Sequence, residues 1–209
     1  GRSRALGGAV SKGAGPGWWD RGTVLVSMAV AIVLGATSMS DINLLAHQAG
    51  VLGDPPSDST IRRTLETLDE AALKQVAKIR RKVRRRVWDL LAQRPGGFPW
   101  LCVAGKFLSG WIVIDLDATL ICANSPKQGA AATFKRGFGF HPLAGWCANT
   151  QESLSMLLRP GNAGSNTVAD HIRVLTEAIA QLPPHYQHKI LIRVDGAGGH
   201  ILLPPRNGG

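Results

Sequence analysis

Trp111-Ile-Val-Ile-Asp-Leu-Asp-Ala-Thr-Leu120 reads as a strand leaving a hydrophobic core. A short apolar run gives way to polar residues, as a buried strand does where it meets water. Side chains alternate across a strand, so Asp115 and Asp117 share a face opposite Leu116. A carboxylate at such an exit is fixed by the sheet yet open to solvent, and so suits a metal ligand; pairing with a basic residue is the plain alternative.

A second stretch repeats the pattern. Lys189-Ile-Leu-Ile-Arg-Val-Asp195 is again apolar and again ends on a carboxylate. If the two strands are parallel neighbours, Asp117 and Asp195 emerge side by side. Their mutual repulsion then favours a hard divalent cation between them. Oxygen-only ligands select Mg²⁺ or Mn²⁺ over Zn²⁺, and a pair of such ions supports phosphodiester chemistry.

Between these strands the chain alternates aromatics at Phe134, Phe138 and Phe140, predicting a strand over 134–141 with Lys135 on its other face. A short strand follows at 153–158. A helix is expected from a cap at Asn166 or Thr167 to Pro183-Pro184, with Ile172, Leu175, Ile179 and Leu182 as its buried stripe. Three strands, a helix and a further parallel strand make a mixed α/β sheet.

The first half of the chain is helical by pattern. Residues 1–20 are a Gly-, Ser- and Arg-rich lead-in expected to be disordered. Two packed helices are expected within 23–49, with Gly35 as a stop and Asp41 as a cap. From Ile61 to Leu90 apolar residues recur about every 3.6 positions, predicting one long amphipathic helix or two broken near Leu68 by a Thr67–Glu70 capping box. Seven cations crowd its polar side: Lys78, Arg80, Arg81, Lys82, Arg84, Arg85 and Arg86. Such crowding is unfavourable unless solvent or a polyanion relieves it, and double-stranded DNA is the expected partner. Trp88 alone interleaves the run, so it should position phosphates and not read bases. The break at Arg94-Pro-Gly-Gly-Phe-Pro99 is the expected boundary between a helical region, 21–95, and an α/β region, 100–200.

Composition agrees with an anionic partner. The 209 residues carry 24 Lys and Arg against 14 Asp and Glu, a net charge of +10. Cys102, Cys122 and Cys147 lack metal-ligand spacing and are expected to be reduced thiols of a cytoplasmic protein. The apolar run Val24–Ala36 is shorter than the roughly 20 residues of a membrane span, so it is expected to be a buried helix, with no membrane partner.

Long motifs then narrow the reading. Val113-Ile-Asp-Leu-Asp-Ala-Thr-Leu120, Thr133-Phe-Lys-Arg-Gly-Phe-Gly-Phe-His-Pro-Leu143, Leu157-Leu-Arg-Pro-Gly-Asn-Ala-Gly-Ser-Asn-Thr167, Ala169-Asp-His-Ile172 and Ile192-Arg-Val-Asp-Gly-Ala-Gly198 follow one another in order. Together they resemble the catalytic core of bacterial insertion-sequence DDE transposases of the DDE group-1 type, and residues 21–95 resemble that family's helical N-terminal region. The resemblance implies a ribonuclease-H-like fold, here incomplete, preceded by an all-α region. It implies DNA strand cleavage and strand transfer with two Mg²⁺ or Mn²⁺ ions, double-stranded DNA as partner, homo-oligomerisation, and a nucleoid-associated place in a bacterial cytoplasm. The family's Asp-x-Thr setting matches Asp117-Ala118-Thr119, and its second carboxylate matches Asp195.

The family's third carboxylate, a Glu on a later helix, has no counterpart here. Residues 196–209 hold no Asp or Glu, and Glu66, Glu70, Glu152 and Glu177 all precede Asp195. Residues 201–209 no longer resemble the family, so the chain is expected to be a fragment, inactive alone. Lys135 and Arg136 are further candidates for phosphate contact, with a structural ion pair the alternative. Asn162 and Asn166 flank Gly-rich backbone that could approach DNA, with turn chemistry the plainer reading. His171, next to Asp170 early on a helix, reads as a surface pair with it before a ligand. The rival readings are a non-catalytic DNA-binding remnant working through the basic helix, and a host nuclease on the same fold.

Overall fold

The apolar run at 112–118 forms the middle strand of a five-stranded sheet. A computed structural model describes residue 8, residues 19–123, 127–164 and 167–194, and the backbone of 200–203. The expected disordered lead-in lies almost wholly outside the described residues, as do Asn166 and Asp195. The chain divides into two units, residues 1–80 and 81–209.

In the first unit, α1 (Arg21–Val33) starts at Asp20, whose carboxylate accepts the Thr23 amide at 2.9 Å. It ends ahead of Gly35, whose φ of +100° supplies the left-handed turn. The second expected helix is instead a 3₁₀ helix, Met39–Gln48, continued by one turn of α2, Ala49–Leu52. Asp41 is not its cap residue: it sits in the first turn and its carboxylate accepts the Thr37 and Ser38 amides, both at 2.8 Å. Val24, Ala31, Ile42, Leu45 and Ile61 form the core of this unit. α3 (Asp58–Glu66) begins at Ser57, and the long pattern does break near Leu68. The break is not made by a Thr67–Glu70 box: Asp69 accepts the Ala72 amide at 2.7 Å, while the Thr67 hydroxyl donates back to Thr64 O at 2.7 Å. α4 follows as Glu70–Ala92.

The division between units falls inside α4, after Arg80, and not at 94–99. The Phe98 end of that break belongs to the second unit's core, where Trp88, Phe98, Trp100 and Tyr186 stack with ring centroids 4.7 to 6.2 Å apart.

The second unit opens with a small hairpin, β1 (Cys102–Val103) and β2 (Lys106–Phe107). β3 (Ile112–Ala118) runs antiparallel to β7 (Leu143–Cys147), which runs antiparallel to β8 (Glu152–Leu157). After α5 (Val168–Gln181), β9 (Ile190–Val194) pairs in parallel with β3, and β10 (His200–Leu203) is antiparallel to β9. The sheet order β10-β9-β3-β7-β8 is mixed, as expected, but the strand between β3 and β8 is Leu143–Cys147 and not 134–141, and β10 adds a strand beyond those expected. Three short strands, β4 (Ile121–Cys122), β5 (Ala131–Ala132) and β6 (Phe138–Phe140), form a separate sheet.

Two local expectations shift. Residues 134–137 are a turn, not strand: Thr133 N donates to Gly137 O at 2.9 Å, and Arg136 adopts φ +59°. The α5 stripe also moves. Of the expected positions, Leu182 is fully buried and Leu175 and Ile179 pack partly buried on the core. Ile172, however, is 60% exposed, and Val174 and Ala178 are the fully buried helix positions. α5 packs against β7 and β8 beside Gly145, where an added Cβ would lie 2.8 Å from Ser155 Oγ and 3.2 Å from Ala178 Cβ. Small residues on both surfaces bring helix and sheet together, and that pairing selects which helix face is buried. Among the described residues no helix is long and apolar enough to cross a membrane.

Candidate functional site

The two carboxylates of β3 have different surroundings. Asp115 is half-buried and meets Arg193, its register partner on β9, through two parallel bonds of 2.5 and 2.6 Å. This fork matches planar guanidinium to planar carboxylate, and Asp115 in turn holds the Arg193 pKa above its ordinary value. Asp117, two residues on, is exposed and has no hydrogen-bond or ion-pair partner among the described residues. Its side-chain oxygens at the strand exit are open to solvent.

Asp117 borders a cleft of about 480 Å³ that Phe134, His141, Asn162, Gly164 and His171 also line. Its walls are held by backbone proximity. Gly161 sits where a Cβ would be 2.5 Å from Ala131 O and 2.7 Å from Gly139 O. Gly139 in turn lies where a Cβ would be 2.0 Å from Ile121 O. No larger residue fits either position without moving a strand.

Arg159, 4% exposed, pins the loop that follows β8. It donates to His141 O at 2.9 Å and Gly164 O at 3.0 Å, and pairs with Asp170 in the first turn of α5 at 3.1 Å. Its remaining nitrogen, Nη2, is buried without a partner among the described residues. His141 Nδ1 meets Ala163 O at 2.9 Å, and His171 Nδ1 meets Thr167 O at 2.9 Å. His171 thus does not pair with Asp170, as expected of a surface pair, but looks into the cleft beside Asp117. The sequence signal for it is its position one turn into a helix that follows a Gly-rich loop.

Metal fit rests on few groups. Among the described residues no three His, Cys, Asp or Glu side chains gather as a cation site. Among the described residues lining the cleft, Asp117 is the carboxylate, a hard oxygen donor without a partner; Asp195 lies outside the described residues.

The basic run on α4 separates into two kinds of residue. Arg84 is 4% exposed, and its guanidinium donates to Glu152 Oε2 at 2.8 Å, Gln181 Oε1 at 2.9 Å, Gln181 O at 3.2 Å and Ser153 O at 3.2 Å. Expected as a phosphate contact, it is instead a buried structural cation, because α4, β8 and α5 close over it. Trp88, one turn later, donates to Glu152 Oε1 at 2.7 Å. The i, i+4, i+7 spacing of Arg84, Trp88 and Leu91 marked this face, but a cation among apolar residues masked it. Arg81, Lys82, Arg85 and Arg86 of the second unit are exposed, as are Lys78 and Arg80 of the first. Lys135 and Arg136 are exposed on the 133–137 turn, not on a strand.

The family model for the transposase DDE domain, group 1, covers residues 18–203. No curated protein and no solved structure matches significantly.

Proposed function

Since this chain belongs to the transposase DDE domain group 1 family, we propose that its second unit carries the strand-cleavage centre of an insertion-sequence transposase, with Asp117 and Asp195 as its first two carboxylates. The family acts on DNA and generally uses divalent metal ions. The observation that carries the assignment is the contrast on β3, where Asp115 is neutralised by Arg193 and Asp117 is left open. Register adds support: Leu116 pairs with Val194 at the end of the parallel pairing, and Asp117 and Asp195 follow them in sequence. The sheet order, with an antiparallel trio, a helix and a strand parallel to the first, supports a ribonuclease-H-like reading.

Two Mg²⁺ or Mn²⁺ ions bound there would activate the attacking water or 3′-hydroxyl and stabilise the leaving oxygen. Asp117 would hold that charge from a rigid strand end. The Arg193–Asp115 pair keeps a second negative charge from the same face and ties β3 to β9 beside it. Exposed Lys78, Arg80, Arg81, Lys82, Arg85, Arg86, Lys135 and Arg136 are assigned to DNA phosphates, which positions the duplex without reading its sequence. The overall reaction is hydrolysis of the phosphodiester at the element's end, followed by joining of the freed 3′-hydroxyl to target DNA.

None of the four glutamates present completes the site. Glu152 is held by Arg84, Trp88 and Thr150, and Glu177 pairs with Arg173. All four precede Asp195, whereas the resemblance places the third carboxylate after it. These 209 residues alone are therefore expected to bind Mn²⁺ through Asp117 but not to cut DNA. Mn²⁺ titration of wild type and Asp117→Asn tests the site: equal affinity in both would end the assignment. Metal-dependent cleavage of element-end DNA by this chain would refute the inactivity while keeping the site.

A second reading, DNA binding without catalysis, is favoured by the exposed α4 cations alone. It predicts DNA affinity that is indifferent to Asp117→Asn and to divalent ions.

A further inference from the structure

Phe134 is out of place as a packing residue. It is 70% exposed, belongs to neither hydrophobic core, and lines the same cleft as Asp117. The turn that carries it is well fixed. Thr133 N donates to Gly137 O at 2.9 Å, Gly137 N donates to Thr133 Oγ1 at 3.1 Å, and Arg136 takes the left-handed conformation. One flank of the ring has the His141 imidazole at 5.8 Å between centroids, and the Lys135 ammonium lies 5.8 Å from its centre. Neither Lys135 nor Arg136 meets a carboxylate among the described residues. A held, water-exposed aromatic ring with Lys135 beside it and Arg136 on the same turn offers what an unstacked nucleotide requires: a π-face for the base and positive charge for its phosphates. The cleft's volume is within the range of small-molecule sites, ample for one nucleotide.

We propose that Phe134 is a stacking platform for a nucleobase drawn out of the duplex beside the phosphate to be cut. The proposal rests on the DNA-transposase reading and specifies its substrate, an unpaired nucleotide at the site and not continuous duplex. It also separates two tasks. The α4 cations attract any duplex, whereas Phe134 selects DNA whose base pairing is already open or easily opened.

The test uses the full chain and two probes, a blunt duplex and the same duplex with one unpaired 2-aminopurine nucleotide. Binding is read by anisotropy and stacking by 2-aminopurine fluorescence. Wild type should prefer the unpaired probe about tenfold and quench its fluorescence, in the range one base–aromatic stack provides. Phe134→Ala should bring that preference close to one while leaving blunt-duplex affinity and thermal unfolding unchanged, and Phe134→Trp should restore it. An undiminished preference in Phe134→Ala, or none in wild type, overturns the proposal. No binding to either probe removes the DNA reading and the proposal together. Mn²⁺ titration of Asp117→Asn without DNA reports on the metal site separately, so a failed platform and a failed active site are told apart.

Discussion

Arg193 faces Asp115 across a parallel strand pair and binds it through two bonds, Nε to Oδ1 at 2.5 Å and Nη2 to Oδ2 at 2.6 Å. The consequence is electrostatic as much as structural. With both partners about one-third exposed, solvent screens the pair, and its removal by Asp115→Ala should cost only about 1 kcal/mol in urea unfolding. Its larger effect should be on divalent cations. Arg193→Gln uncovers a second carboxylate on the face of Asp117, so Mn²⁺ affinity should rise, whereas Asp115→Asn leaves an unbalanced cation nearby and should lower it. Titration of both variants checks the opposite signs; a shift of the same sign in both contradicts the electrostatic role.

Arg84 and Arg85 are neighbours in sequence with opposite expected phenotypes. Arg84→Ala leaves Glu152, one-third exposed and still bonded by Trp88 and Thr150, without its cation, and strips Gln181 and Ser153 O of a buried donor, so it should destabilise by about 2–3 kcal/mol. Arg85→Ala, on the exposed face, should change stability by less than about 0.5 kcal/mol. In DNA binding the order inverts. The four exposed cations Arg81, Lys82, Arg85 and Arg86 predict a log–log salt slope of at least about −3.6, and Arg85→Ala should reduce its magnitude by about 1. Anisotropy across a salt series checks this, and a flat response removes the basic helix from DNA binding.

Gly161 joins two strands to the cleft loop by proximity alone. Gly161→Ala places a methyl group 2.5 Å from Ala131 O, so the loop or β5 must move. The expected loss is about 1–3 kcal/mol. Because Phe134 and Asp117 line the cleft that includes Gly161, the same variant should also weaken any preference for unpaired nucleotides. Chemical denaturation and the two-probe assay measure the two effects independently.

How far the sequence reveals this molecule depends on the range of the deciding interaction. β3 and β9 are legible because a buried central strand must be apolar for four or five residues, and both runs end on polar groups. The α3–α4 pattern is legible because a helix writes its buried face every few residues. β7 is not, since Leu-Ala-Gly-Trp-Cys shows no alternation: its small residues answer to α5 packed above them. The alternating aromatics of 134–140 imitate a strand, but the αL geometry at Arg136 turns the chain back on itself. Arg84 reads as a surface cation because its partners, Glu152 and Gln181, are 68 and 97 residues away. For the site, the exit of β3 was legible as two candidate carboxylates. The choice between them by chemistry required Arg193, a residue of a different strand.

Cys147 offers a pH test of the sheet's interior. Its side chain is fully buried at the end of β7, and burial pushes the thiol above its ordinary value of 9.0, with the nearby Glu152 charge acting in the same direction. A raised folded-state pKa means that the folded chain holds this proton more tightly than the unfolded chain. The contribution is fully present below about pH 9, where both states are protonated. It is lost as pH rises through the folded-state value, because only the unfolded chain can first release the proton. Wild type should therefore lose more stability between about pH 8 and 10.5 than Cys147→Ala does, the difference opening only above about pH 9. Tyr186, also raised by burial, titrates alike in both proteins and cancels in the comparison. Thiol labelling supplies the companion measurement: exposed Cys102 and Cys122 should react in the native state at about pH 8, and Cys147 only on unfolding. Native-state labelling of all three thiols, or parallel stability curves above about pH 9, would contradict the buried, protonated Cys147.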